Sequence, residues 1–155
     1  MAEIRGIVVP LMTPFDSSGR VNGGMIRRLI DFQLGCGVTG FYVCGSTGEG
    51  LLLDPSERKA VLETTLDEVA GRVPVIAHVG AVATHVAADL SAHAKKAGAA
   101  AVASIPPIYY AADLAAMKAY YQAIAEAAGG LPVWIYNVPH ATGVRITADT
   151  LAHFL

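Results

Sequence analysis

A glycine-rich turn with two adjacent hydroxyl side chains follows the second apolar run of the sequence, at "GSTGEG", residues 45–50. Glycines let backbone amides turn toward one point without obstruction by Cβ atoms, and Ser46 and Thr47 add hydroxyl donors. Such a set of donors suits a carboxylate or a phosphate. The stretch is neither a P-loop nor a dinucleotide fingerprint, because it lacks the Lys-Ser/Thr pair and the glycine spacing of those motifs. The alternative is a tight strand-to-helix turn without a ligand.

Tyrosines follow two later apolar runs, in "IPPIYYAAD" (105–113) and "WIYNVPHATG" (134–143). A phenol at the end of a strand can hydrogen-bond a ligand or transfer a proton, so Tyr109 and Tyr136 are candidates. Amphipathic rings that cover the rim of the fold are the alternative, which we favour for Tyr110. We expect Tyr136 to be a buried phenol, and it is then either a satisfied core tyrosine or an acid/base group.

Other polar groups give weaker indications. Glu49 precedes a predicted helix, and dipole and capping effects are sufficient to explain it. His78 ends a predicted strand and could face the site. No pair of histidines has metal-ligand spacing and Gly-X-Ser-X-Gly is absent, so we predict no metal, no other cofactor and no hydrolase nucleophile.

The composition limits the class of partner. Apolar residues make up 54% of the 155 residues and charged residues 15%, with a net charge of −2 and no basic run. This balance argues against nucleic acid and against an anionic membrane surface, and favours a small uncharged or weakly anionic partner. No apolar run is long enough to span a bilayer, and two cysteines without metal or redox spacing fit a reducing compartment. We expect a soluble, cytoplasmic protein.

Short apolar runs alternate with helical patterns along the chain. Runs without polar alternation, as in strands buried on both faces, occur at 4–12, 38–44, 73–79, 99–105 and 131–138. Helices are predicted at 24–35, 54–71, 84–98 and 113–129, with a fifth that begins at Thr147 and runs to Leu155. Asp54 as N-cap, Pro55 and Glu57 mark the second helix most clearly.

This rhythm predicts an α/β fold with parallel strands. The spacing of the strand centres is close to the mean unit of a (β/α)8 barrel, about 31 residues, and five of eight units are present. A complete flavodoxin-like sheet of five strands fits the length equally well. We find no linker or shift in composition, and predict a single domain over residues 1–155.

Three motifs taken together resemble one family. "GSTGEG", "PPIYY" (106–110) and "YNVPHATG" (136–143) are similar to the class I Schiff-base pyruvate aldolases typified by dihydrodipicolinate synthase and N-acetylneuraminate lyase. The opening "GIVVPLMTPFDSSGRVN" (6–22) resembles the first strand and loop of that family. The resemblance covers the whole chain and implies a (β/α)8 TIM barrel, of which about five units are present.

The resemblance implies roles for particular residues. In the family the glycine-rich turn holds the carboxylate of pyruvate or of the keto acid, which assigns that task to Ser46, Thr47 and Gly48. Tyr136 corresponds to the tyrosine that transfers a proton to and from the substrate oxygen. In the synthase branch the proton is relayed through a strand-2 hydroxyl, here Ser46, and a tyrosine matching Tyr109 that often reaches across a dimer contact. The implied partners are a 2-keto acid such as pyruvate and further copies of the chain, in a dimer or tetramer.

The family electrophile is a lysine on strand 6 that forms an imine with the substrate ketone. One further unit of about 31 residues would place strand 6 near position 166. The lysines of this chain all fall on predicted helices, where an amine stays hydrated and protonated: Lys59, Lys95, Lys96 and Lys118. We therefore expect either the N-terminal part of a complete barrel or a half-barrel that pairs with another copy.

Local motifs favour the N-acetylneuraminate lyase branch. "GFYVCGSTGEG", "VIAHVGA" and "LPVWIYNVP" are similar to that branch, and retro-aldol cleavage of a sialic-acid-like keto acid to pyruvate and an N-acyl amino sugar is the implied reaction. The synthase branch carries an arginine at the position of Ala141, where it binds a carboxylate. Dihydrodipicolinate synthase, another 2-keto acid aldolase and a non-catalytic keto-acid-binding half-barrel remain the alternatives.

Overall fold

The computed structural model describes residues 4–154, and Leu155, the end of the fifth predicted helix, lies outside them. Strands and helices alternate along the chain, except that two helices follow the last strand. The strands are β1 (Val8–Pro10), β2 (Gly40–Val43), β3 (Val75–His78), β4 (Ala101–Ser104) and β5 (Val133–Ile135). The helices are α1 (Gly23–Gly35), α2 (Pro55–Val69), α3 (Thr84–Ala97), α4 (Leu114–Ala127), α5 (Pro139–Thr142) and α6 (Ala148–Phe154).

The five strands form one parallel sheet in the order β1-β2-β3-β4-β5. Each strand therefore pairs with the next strand of the chain, as in a (β/α)8 barrel. A flavodoxin-like sheet has the order 2-1-3-4-5, so that alternative is wrong.

The predicted helices are confirmed with small differences at their ends. At the start of α2 the Asp54 backbone N–H donates to Glu57 Oε2 at 2.9 Å, as expected of a capping box. The helix ends at Val69, two residues before the predicted Gly71, because Ala70 adopts a left-handed conformation with φ 48°. The four-residue helix α5 was not predicted, because one turn is too short to show a period.

The sheet buries its two faces differently. The outer face packs against α1 to α4 and contributes to the main core with Phe41, Val43, Val75 and Val102. The other face, here called the inner face, carries a smaller cluster around Ile76, Ala101 and Ala103.

Strand register determines which side chains share the inner face. Residues that pair in parallel strands point to the same side of a sheet, and the paired rows here are Pro10–Tyr42–Ile76–Ala101 and His78–Ala103–Trp134. Tyr136 continues the alternation of β5 and lies two residues beyond Trp134. The inner face therefore brings the ends of β2 and β5 toward one space.

Within residues 4–154, none of the helices combines the length and the apolar character that crossing a bilayer requires.

Candidate active site

A pocket of about 340 Å³ lies over the inner face, at the carboxyl edge of the sheet. Ser46 and Thr47 reach it from the turn after β2, and Tyr136 reaches it from the end of β5. Ligands of parallel α/β proteins bind at this edge. Tyr136 is therefore brought to Ser46 and Thr47 from a distant part of the sequence. The remaining lining is mostly apolar: Val8, Pro10, Tyr42, Ile76, Ala103, Trp134 and Ile135.

The turn 45–50 presents a row of unused backbone donors. Its own hydrogen bonds run from Glu49 N–H to Ser46 O at 3.1 Å and from Gly50 N–H to Gly45 O at 3.1 Å. In the described part of the chain, the amides of Ser46, Thr47 and Gly48 donate no hydrogen bond. Successive free N–H groups in a turn form a concave anion site, to which two hydroxyls are added here. The geometry thus suits a carboxylate.

Close packing shapes the turn. A Cβ on Gly50 would lie 1.8 Å from the Cys44 carbonyl oxygen, and a Cβ on Gly48 would lie 2.8 Å from the Leu11 carbonyl oxygen. The buried Thr13 supports the turn from the loop after β1, since its hydroxyl donates to the Gly48 carbonyl at 2.7 Å. Both glycines are therefore required by space.

Tyr136 is less buried than expected. Its side chain is 37% exposed, because β5 has no strand on its far side within the described residues. The Tyr136 backbone N–H donates to the Ser104 carbonyl at 2.8 Å, which fixes the residue at the strand end. In residues 4–154 the Tyr136 hydroxyl makes no hydrogen bond, so the interpretation as a satisfied core tyrosine is wrong.

Tyr109 does not lie in this pocket. Its side chain is 88% exposed, and its ring packs edge to face against Tyr110 with centroids 4.9 Å apart. The residue has a positive φ of 76°, a conformation that is costly outside glycine and that turns the pair outward. Within one copy of the chain, Tyr109 is thus separate from the site that holds Tyr136.

The capping interpretation of Glu49 is wrong, whereas His78 faces the inner side of the sheet. Glu49 does not precede a helix closely enough to cap it, since α2 begins at Pro55 and Asp54 and Glu57 occupy its cap. His78 ends β3 on the inner face, where it pairs with Ala103 and its ring lies 6.1 Å from that of Tyr42, but it is only 5% exposed.

The side chain of Arg58, on α2, is buried against the carboxyl end of β3. Its guanidinium donates to the carbonyls of His78 at 2.7 Å and Gly80 at 2.9 Å, and no carboxylate pairs with it among the described residues. Burial, with the positive charge of Arg58 as a second cause, lowers the pKa of His78 to about 3. His78 is therefore neutral at physiological pH, and its Nε2 accepts a hydrogen bond from Ile105 N–H at 3.4 Å.

None of the four lysines lies near the pocket. All four are on helices outside the sheet, as predicted: Lys59 on α2, Lys95 and Lys96 on α3, and Lys118 on α4. Lys59 pairs with Asp89 at 2.6 Å, and Lys118 donates to the His153 carbonyl at 2.9 Å. None of these amines is therefore in position to attack a keto acid bound in the pocket.

Comparisons with known sequences agree with this geometry. A model described as the dihydrodipicolinate synthetase family matches residues 3–155. An N-acetylneuraminate lyase of Escherichia coli is 40% identical over 149 residues, which cover 96% of this chain and 50% of that protein. The chain thus spans about half the length of the curated relatives it matches.

Solved structures are similar in the same region. CdNal from Clostridium difficile, in complex with mannosamine, superposes with a TM-score of 0.95 at 32% identity and covers 99% of this chain and 53% of its own. YagE, a prophage protein of the dihydrodipicolinic acid synthase family from Escherichia coli in complex with pyruvate, gives a TM-score of 0.93 at 33% identity, covering 99% and 51%. The predicted barrel fold is confirmed for the five units of this chain.

Proposed function

Because the chain belongs to the dihydrodipicolinate synthetase family, we propose that it forms the carboxylate-binding and proton-transfer part of an N-acetylneuraminate lyase-like aldolase. The reaction is retro-aldol cleavage of a sialic-acid-like 2-keto acid to pyruvate and an N-acyl amino sugar. One observation carries the proposal: Ser46 and Thr47, whose backbone amides are free, line the same pocket as Tyr136, whose hydroxyl is unpaired within the described residues.

Each residue then has a defined task. The amides and hydroxyls of the turn 45–50 bind the keto-acid carboxylate and place the ketone carbon over the inner face. The Tyr136 phenolate accepts the proton of the substrate hydroxyl when the carbon-carbon bond breaks and returns it in the reverse direction. The electrons of that bond pass to a protonated imine on a strand-6 lysine, which is none of the four lysines described above.

Similar structures support the ligand class. The solved neighbours contain pyruvate in one case and mannosamine in another. A keto acid and an amino sugar are the two products of the proposed cleavage. We also propose the cytoplasm as the location, because both cysteines are free thiols and a reducing compartment keeps them so.

Pyruvate titration tests the proposal. We expect the amide NMR signals of Ser46, Thr47 and Gly48 to shift together, and Ser46→Ala to weaken pyruvate binding by about tenfold, since a hydrogen bond to a charged group is lost. Ser56→Ala on the exposed start of α2 is the matched control and should bind as the wild type does. The proposal would be contradicted if the amide signals of the turn did not change on adding pyruvate, or if Ser46→Ala bound pyruvate as tightly as the wild type.

A second proposal concerns assembly. Large apolar side chains are exposed near the N-terminal end of α2, among them Leu52 (81%) and Tyr109 (88%). A surface depression in this region is lined by Leu51, Val82 and Ile108. We propose that this surface joins two copies of the chain, which would place Tyr109 beside the partner's site. Surfaces of this kind on soluble proteins mark interfaces.

Sedimentation tests this interface. We expect the wild-type chain to associate, and Leu52→Asp to weaken association by at least about tenfold because it buries a charge in an apolar contact. The control is Phe32→Asp, which changes an exposed apolar residue of α1 away from this surface. Equal association of the wild type and Leu52→Asp would exclude the proposed contact.

A further inference from the structure

Tyr42 carries a hydroxyl group without a partner. Its oxygen is shielded from solvent and makes no hydrogen bond within the described residues. A buried donor without an acceptor is less favourable than a satisfied one, so this hydroxyl calls for an explanation beyond packing. Tyr42 lies on β2, three residues before the glycine-rich turn begins at Gly45.

The ring of Tyr42 is held in one place by its surroundings. A Cβ on Gly45 would lie 2.4 Å from Tyr42 Cε1, which shows how closely the ring packs on the first residue of the turn. On its other side, Tyr136 lies edge to face with it, with centroids 6.0 Å apart and an interplanar angle of 75°. Tyr42 therefore sits between the carboxylate turn and the proton-transfer tyrosine.

Two other neighbours do not satisfy the hydroxyl. The His78 ring is 6.1 Å from that of Tyr42, but its Nε2 already accepts from Ile105 N–H. The Arg58 guanidinium is directed at the carbonyls of His78 and Gly80. Burial, strengthened by the neighbouring Tyr136, raises the pKa of Tyr42 well above its usual value, so Tyr42 keeps its proton and remains a donor.

We propose that Tyr42 is a positioning residue whose hydroxyl donates a hydrogen bond to the phenolate form of Tyr136. This inference rests on the proposed role of Tyr136 in proton transfer. When Tyr136 gives its proton to a substrate oxygen, the negative charge on its phenolate oxygen attracts the Tyr42 donor, and no proton moves between the two rings. A hydrogen bond to an ionised acceptor is about twice as strong as a neutral one, so Tyr42 stabilises the form of Tyr136 that the next step needs.

Fluorine NMR of protein labelled with 3-fluorotyrosine tests this hydrogen bond without substrate. The Tyr136 signal is assigned by its loss in Tyr136→Phe, and its change with pH reports when the phenolate forms. We expect the phenolate of Tyr136 to form about one pH unit higher in Tyr42→Phe than in the wild type. Tyr110→Phe removes an exposed hydroxyl away from Tyr136 and should cause no shift.

Thermal unfolding separates this role from a structural one. Tyr42→Phe should melt at the wild-type temperature or above, because it removes a buried hydroxyl that lacks a partner. Phenolate formation at the same pH in Tyr42→Phe and the wild type would overturn the proposal, and so would a clear loss of stability in Tyr42→Phe. Neither result depends on pyruvate, so failure here is distinct from failure of the proposed function.

Discussion

Gly50→Ala is expected to lower the free energy of unfolding by about 3 kcal/mol or more and to abolish pyruvate binding. A Cβ at this position would lie 1.8 Å from the carbonyl oxygen and 2.5 Å from the carbonyl carbon of Cys44, distances that no rotamer change can relieve. Cys44 itself is constrained, since it directly follows β2 with a positive φ of 57°. The turn must open to accept the methyl group, and the free amides of residues 46–48 then lose their common direction.

Gly35→Ala is the matched control for this change. Gly35 ends α1, and a Cβ there would meet no atom within 4 Å. Alanine also has the higher helix propensity, by up to about 1 kcal/mol, so this variant should be as stable as the wild type or more stable. Urea unfolding of the three proteins provides the comparison. A Gly50→Ala protein with wild-type stability would contradict the packing that we describe around the turn.

Acidification is expected to destabilise the chain through His78. The folded protein holds the pKa of His78 near 3, because burial and the neighbouring Arg58 charge both oppose protonation. The unfolded chain has an ordinary histidine pKa of about 6.5. The contribution of neutral His78 is therefore complete above about pH 6.5 and is lost as the pH falls toward 3, at no more than about 1.4 kcal/mol per pH unit.

The variant His78→Gln isolates this contribution. Its stability should be lower than that of the wild type at neutral pH, but the difference between the two proteins should shrink as the pH falls from 6.5 toward 3. His85→Gln, at an exposed position on α3, should retain the full pH dependence of the wild type. Parallel stability profiles for His78→Gln and the wild type across this range would show that His78 protonates freely in the folded protein.

Local signals were sufficient to predict most of the fold. Apolar runs, the cap at Asp54 and helix-terminating glycines depend on near neighbours in sequence, and the structure has all five strands and the four long helices. The strand order could not be obtained in this way, because β1 pairs with β2 and β4 with β5 through contacts between distant segments. Chain length alone left the barrel and the flavodoxin-like sheet equally possible.

The site was predictable where a motif carried it. Ser46, Thr47 and Tyr136 line one pocket, as their places at strand ends suggested. His78 reaches the inner face, as its place at a strand end suggested. Its contact with Arg58, twenty residues earlier, was not predictable, because no local pattern shows that a helix side chain will reach the end of a strand. Tyr42 could have been found by period-two counting, since it pairs with Pro10 and Ile76 on the inner face.

Pyruvate titration of the wild-type chain, followed by borohydride reduction and intact-mass spectrometry, tests the central claim most directly. The claim is that this chain holds the carboxylate turn and the proton-transfer tyrosine, while none of its own lysines forms the imine. We predict reversible shifts of the Ser46, Thr47 and Gly48 amide signals and an unchanged mass after reduction. A reduced pyruvate adduct on Lys59, Lys95, Lys96 or Lys118 would contradict the claim, and so would pyruvate-induced shifts that avoid the turn.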